Sequence, residues 1–327
     1  MQDAENPYKT QKHNARITVD DLRERLEEMS RRVLKPEEGV YGPDSMAWKI
    51  NRHTEIFMGA GAANLLQLAH PWVAQAIDQH SKTQTEPFAR LRRTFLNVHQ
   101  MVFGNLDQVL QSALRVHNIH ASIAGKVSES AGRTKAGSDY FANQVGAMLW
   151  VHATLWVTGL RVYEIFHGPL SRAEREQYYT ESKLFAYLFG IPADAMPPTW
   201  NDFIAYYNGV VDSDLLKVGA VGRQLVEYIF TMKDWLIPVL NRHKIHTAVL
   251  LPDRLRAEFG FPEVTPKLQA SFDFDVKLAG TLLKYAPNDI KYIPPYNEAL
   301  RRLKGQKAGV ATQGINRVLY GQALLVS

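Results

Sequence analysis

Eight of the eleven histidines, at positions 53, 70, 80, 99, 117, 120, 152 and 167, fall in the stretch from residue 53 to residue 167. Imidazole serves as a general base, a proton carrier or a metal ligand, so this crowding is the first place to look for chemistry. His117 and His120 stand three apart and share neighbouring parts of one helix face. His152 interrupts the apolar run from Trp150 to Trp156, where a polar ring needs a partner or a ligand. Arg90 and Thr94 stand four apart, beside an apolar stripe of Phe88, Leu91, Phe95, Val98 and Val102. A guanidinium at the margin of such a stripe suits a carboxylate or propionate. It can equally snorkel beside a core while the threonine bonds its own backbone. Taken one at a time, the histidines read as structural or solvent-facing. The chain has no cysteine, which excludes thiolate-ligated haem, iron–sulfur clusters and disulfides but permits a haem held by imidazole.

Other chemistries find no motif. Gly59-Ala-Gly61-Ala-Ala-Asn64 lacks the third glycine and the preceding strand of a dinucleotide loop, and reads as close packing at a helix start. Walker loops, nucleophile elbows and His-Glu-x-x-His are absent. A ferritin-like di-iron bundle needs two Glu-x-x-His pairs, and only Glu164-Ile-Phe-His167 occurs.

The elements that must position these groups are helical. The 327 residues are 46% hydrophobic and 22% charged, the balance of a globular protein rather than of a disordered chain. A net charge of +5, spread over short clusters, does not point to nucleic acid. The polar N-terminus has no signal-peptide core, and the greasy run from Val145 to Leu160 contains His152 and reads as a buried helix. The expected location is cytoplasmic. Spacing predicts helices over 20–33, with Asp20 or Asp21 as cap, and over 61–80, interrupted at Pro71. Pro87 opens the helix of Arg90, Gly104 ends it, and Asn105 caps the next, which is expected to run to about Ala124. Further helices are expected over 139–166, from the Ser171/Glu174 capping box to Leu188, from Thr199, and over 222–242. The fold expected is all-α: one compact multi-helix domain with appended terminal segments.

Several of these strings together resemble one family. Leu65-Leu-Gln-Leu-Ala-His70-Pro71, His80-Ser81, and Phe88-Ala-Arg90-Leu-Arg-Arg93-Thr94 are similar to the catalytic domain of the MpaB-type and rubber oxygenases. The likeness continues in Val102-Phe-Gly104, Val116-His-Asn-Ile-His120, Trp150-Val-His-Ala-Thr154, Pro198-Thr-Trp200 and Leu251-Pro-Asp-Arg-Leu-Arg256. It spans roughly residues 42–262, leaving 1–41 as an N-terminal helix and connector and 263–327 as a helical extension. The resemblance implies haem b and chemistry with dioxygen on an apolar, alkene-containing small molecule, including oxidative cleavage of a carbon–carbon double bond. It places the family's iron ligand on His120, its essential arginine and threonine on Arg90 and Thr94, and a second histidine on His152. An upstream acid–base carboxylate has Asp78 as its nearest counterpart, without matching spacing.

One position departs from the rubber oxygenases, which carry a lysine just before the threonine. Here it is Arg93, whose guanidinium stays protonated and is a poor iron ligand. The expected distal site is therefore open, with Arg93 either helping to close it or lying in solvent on the far side of the helix. Two other readings stay open: a non-catalytic haem-binding or haem-sensing protein, and a helical protein for apolar ligands without haem.

Overall fold

A computed structural model describes residues 11–81, 87–230 and 237–326. Among these, helices carry nearly all the regular structure, and the one sheet is a two-stranded hairpin. At its centre lies the 23-residue helix Val145–His167, whose buried side chains face neighbours on every side. It is the one helix among the described residues long and apolar enough to cross a membrane, but 78% of the qualifying window is buried inside the protein. Trp150 donates its indole N–H to the Leu66 carbonyl at 2.9 Å, pinning this helix to the helix Ala60–Leu68. The glycine-rich start of Ala60–Leu68 is close packing: a Cβ on Gly61 would lie 2.1 Å from Thr247 Oγ1.

Local signals set most boundaries. Ser171 and Glu174 cap the helix Arg172–Leu188 reciprocally, as do Thr199 and Asp202 for Trp200–Asp212. Asn105 caps Leu106–Ala121, which follows Pro87–Phe103 after a two-residue turn. Four expectations need correction. The first long helix is Val19–Arg32 and its cap is Thr18, with Asp21 as the reciprocal third residue. The helix after Asn105 ends at Ala121. Residues 139–141 do not begin a helix; they pair antiparallel with Ala124–Lys126. The expected 222–242 helix is Ala220–Phe230 followed by Ile237–Leu250, with 231–236 outside the described residues.

A second apolar cluster gathers Trp48, Phe103, Tyr296, Tyr320 and Leu325, so residues from both ends of the chain share one core. Trp48 donates to the Val102 carbonyl at 2.7 Å and packs its ring 5.3 Å from Phe103. Gly39, at φ +75, touches the turn after Phe103: a Cβ there would lie 2.1 Å from the Gly104 carbonyl oxygen. Gly39→Ala is therefore expected to cost about 2 kcal/mol or more, from backbone strain and displacement of that turn. Urea unfolding that moves by less than a few tenths of a kcal/mol would show that the turn yields freely.

Candidate functional site

The helices Pro87–Phe103 and Leu106–Ala121 lie antiparallel, and their polar contacts give the register. Ser112 Oγ is 3.2 Å from Asn97 Oδ1, and Arg115 Nη1 donates to the same oxygen at 3.1 Å. Two turns back from Asn97 is Arg90; two turns on from Ser112 lies residue 119. Arg90 is thus level with the end of the second helix, where His120 sits. The hairpin follows at once, and His80 Nε2 lies 3.1 Å from the Ala124 carbonyl, holding this corner to the helix Pro71–His80.

His120 turns toward the helix Arg172–Leu188, its ring stacked 6.4 Å from Phe189. Phe189 packs 5.1 Å from Phe185, and Phe185 lies 6.1 Å from His152 on the central helix. The two imidazoles therefore border one aromatic wall, completed by Trp156 and Phe203. Nδ1 of His120 and both nitrogens of His152 are buried with no hydrogen-bond partner among the described residues. Burial pushes the His120 pKa down to about 4, with His117 a lesser cause, and that of His152 down to about 3. Both rings are neutral at pH 7, the form that offers a lone pair to a metal or accepts a proton.

His117 goes another way. It is 4% exposed, and burial lowers its pKa while the Asp21 carboxylate opposes that shift. It faces the helix Val19–Arg32 rather than the aromatic wall. Arg90 is half-buried, and burial, then Arg93, pushes its pKa down to about 10, so it remains a cation. No carboxylate pairs with it among the described residues. Arg93 and Thr94 are exposed side chains on the same helix. Asp78 is half-buried on the helix Pro71–His80 and faces Tyr140, whose pKa is raised first by burial and then by that carboxylate. His120 and His152 thus border one aromatic wall, Arg90 lies level with His120 on the neighbouring helix, and His117 faces elsewhere.

Neutral, unpartnered histidines leave a signature in stability. An unfolded histidine takes a proton near pH 6.5, whereas His152 resists until about pH 3. Its contribution is complete above pH 6.5 and is lost as the pH falls toward 3, because the unfolded chain then binds the proton first. His152→Phe is expected to flatten the fall in stability between pH 6.5 and 4. Parallel urea-midpoint profiles for the two proteins would exclude a buried neutral ring at this position.

Sequence reasoning passed over another group. Glu55 Oε1 lies 2.8 Å from His167 Nε2 and 3.2 Å from His53 Nδ1. Glu164, the residue that spacing pairs with His167, instead accepts from the Leu170 backbone and from Arg175.

Two imidazoles with buried nitrogens, unpartnered among the described residues, thus border one aromatic wall inside a helical domain. The profile of the family described as "ER-bound oxygenase mpaB/B'/Rubber oxygenase, catalytic domain" matches residues 48–282, and the chain belongs to that family. The match runs past residue 262 into the helix Pro266–Tyr285. Membership makes this an oxygenase domain, an oxidoreductase type that joins dioxygen to an organic substrate. No curated protein and no solved structure matches the chain.

Proposed function

We propose that the protein is a haem b-dependent oxygenase acting with dioxygen on an apolar, alkene-containing small molecule of isoprenoid type. The observation that carries this reading is the pair of neutral imidazoles on one aromatic wall, the half-buried His120 with a buried, unpartnered Nδ1 and the buried His152 with neither nitrogen partnered among the described residues. Such nitrogens are costly to bury unless a ligand satisfies them. The residues present fit the group: His120 would supply an imidazole ligand, Arg90 a cation for a propionate, and Phe185 and Phe189 apolar contact. When bound, haem supplies an iron centre that activates dioxygen, tuned by its axial ligand and by the polarity around it.

The chain's own residues do the rest. Phe185, Phe189, Trp156 and Phe203 exclude water and offer an apolar face to a hydrocarbon substrate. Thr94, one turn beyond Arg90, brings a hydroxyl to the same side of the helix. Arg93 carries no lone pair for a metal, so no lysine-like side chain has to be displaced before a small ligand enters. The cytoplasm, with small or medium-sized apolar metabolites rather than solid polymer, is the proposed setting.

The test is oxygen uptake by the haem-loaded protein with an unsaturated terpenoid and with its saturated analogue. Uptake with carbonyl products from the alkene alone is expected. Equal rates with both compounds, or none with any of a panel of alkenes, would overturn the assignment of substrate class.

A further inference from the structure

The far end of the central helix carries a second constellation. His167 is its last residue, fifteen positions beyond His152, about 22 Å along the helix axis. His53 and Glu55 come from the entry to the short 3-10 helix Thr54–Gly59. One potential ligand atom from each of the three side chains lies within 4.8 Å of the others. Glu55 Oε1 is 2.8 Å from His167 Nε2 and 3.2 Å from His53 Nδ1, and the two imidazole rings are 4.4 Å apart. His53 and Glu55 are 5% and 9% exposed. Yet Glu55 Oε2 has no hydrogen-bond partner among the described residues, and His53 Nδ1 has only the poorly aligned contact with Glu55 Oε1. Buried donors and acceptors left this way call for a ligand.

We propose that His53, Glu55 and His167 form a binding site for a first-row divalent transition-metal ion, distinct from the His120 region. Two imidazole nitrogens and one carboxylate oxygen suit zinc or ferrous iron, not magnesium or calcium, which favour all-oxygen shells. Metal–ligand bonds of about 2.1 Å at tetrahedral angles set neighbouring ligand atoms about 3.4 Å apart. The 2.8 and 3.2 Å separations need only small adjustments to reach that spacing.

The frame is fixed from several directions. His53 forms a backbone bridge with Tyr292, and Thr54 Oγ1 donates to the Ile290 carbonyl at 2.7 Å. Tyr163, one turn before His167, packs its ring 4.6 Å from His167 and 5.6 Å from His53. The Arg52 guanidinium is drawn to the ring faces of Tyr292 and Tyr296 and donates to the Tyr296 hydroxyl at 3.2 Å. Three protein ligands leave a coordination position open, and the exposed His167 gives solvent access to it. An ion here ties together the first third of the chain and the end of the central helix.

The test is calorimetric titration of the tag-free, chelator-treated full chain with zinc chloride, with elemental analysis of the dialysed product. One zinc per chain is expected, with affinity reduced about 100-fold or more in Glu55→Gln and in His167→Ala. His120→Ala is expected to bind zinc as the parent does, which separates this site from the haem proposal. Should Glu55→Gln fail to fold, the partly exposed His167→Ala and the zinc-induced rise in melting temperature of the parent supply the readout. No stoichiometric zinc, or an affinity and thermal shift unchanged in His167→Ala, would show that the three side chains form a metal-free hydrogen-bonded cluster and overturn the proposal.

Discussion

Replacing His120 with alanine is expected to lower the haem content of the purified protein by roughly tenfold or more, while His117→Ala keeps most of it. The two stand one turn apart on the helix Leu106–Ala121, yet their surroundings differ in kind. His120 stacks on Phe189 and holds a buried, unpartnered Nδ1. His117 lies toward the Val19–Arg32 helix, where the Asp21 carboxylate partly offsets the lowering of its pKa by burial. Loss of haem in His117→Ala alone would place the ligand one turn earlier. Far-ultraviolet dichroism on both variants separates loss of ligand from loss of fold.

The largest stability effect outside the site is expected at Glu298. Its carboxylate is fully buried and accepts the backbone N–H groups of Leu325 and Val326 at 2.9 to 3.0 Å. It also accepts the Asn316 side-chain amide at 3.0 Å. Arg302 works from the same helix, donating to the Val326, Phe103 and Glu37 carbonyls. This pair ties the end of the chain to the Trp48–Phe103 cluster. Glu298→Ala leaves buried donors unsatisfied and is expected to cost about 3 kcal/mol, with Glu298→Gln costing less because one acceptor oxygen remains. Urea midpoints supply the measurement. A change within 0.5 kcal/mol, about the spread of surface substitutions, would mean that the tail is not anchored through this carboxylate.

Helices were legible in the sequence wherever a local signal closed them. Ser171 with Glu174, Thr199 with Asp202 and Asn105 are caps acting over three residues, and each opens the helix it implies. The hairpin was hidden because its strands are three residues long, too short for alternation to register, and their pairing spans a loop. Asp139 therefore resembled the start of the Val145 helix. At the candidate site, motif order singled out His120 and Arg90, and the antiparallel helix pair sets these two residues, thirty positions apart, at one level. Spacing cannot reveal the His53, Glu55 and His167 group. The His167 contact with Glu55 joins residues 112 positions apart, and the nearer carboxylate of Glu164 is already engaged by Arg175.

The pyridine haemochrome spectrum of the purified protein, grown with haem precursor, tests the central claim most directly. One b-type haem per chain, lost in His120→Ala, is the expected result. A colourless protein with no haemochrome, folded and helical by dichroism, would contradict it and leave His120 and His152 as structural histidines of an oxygenase-family domain that works without haem.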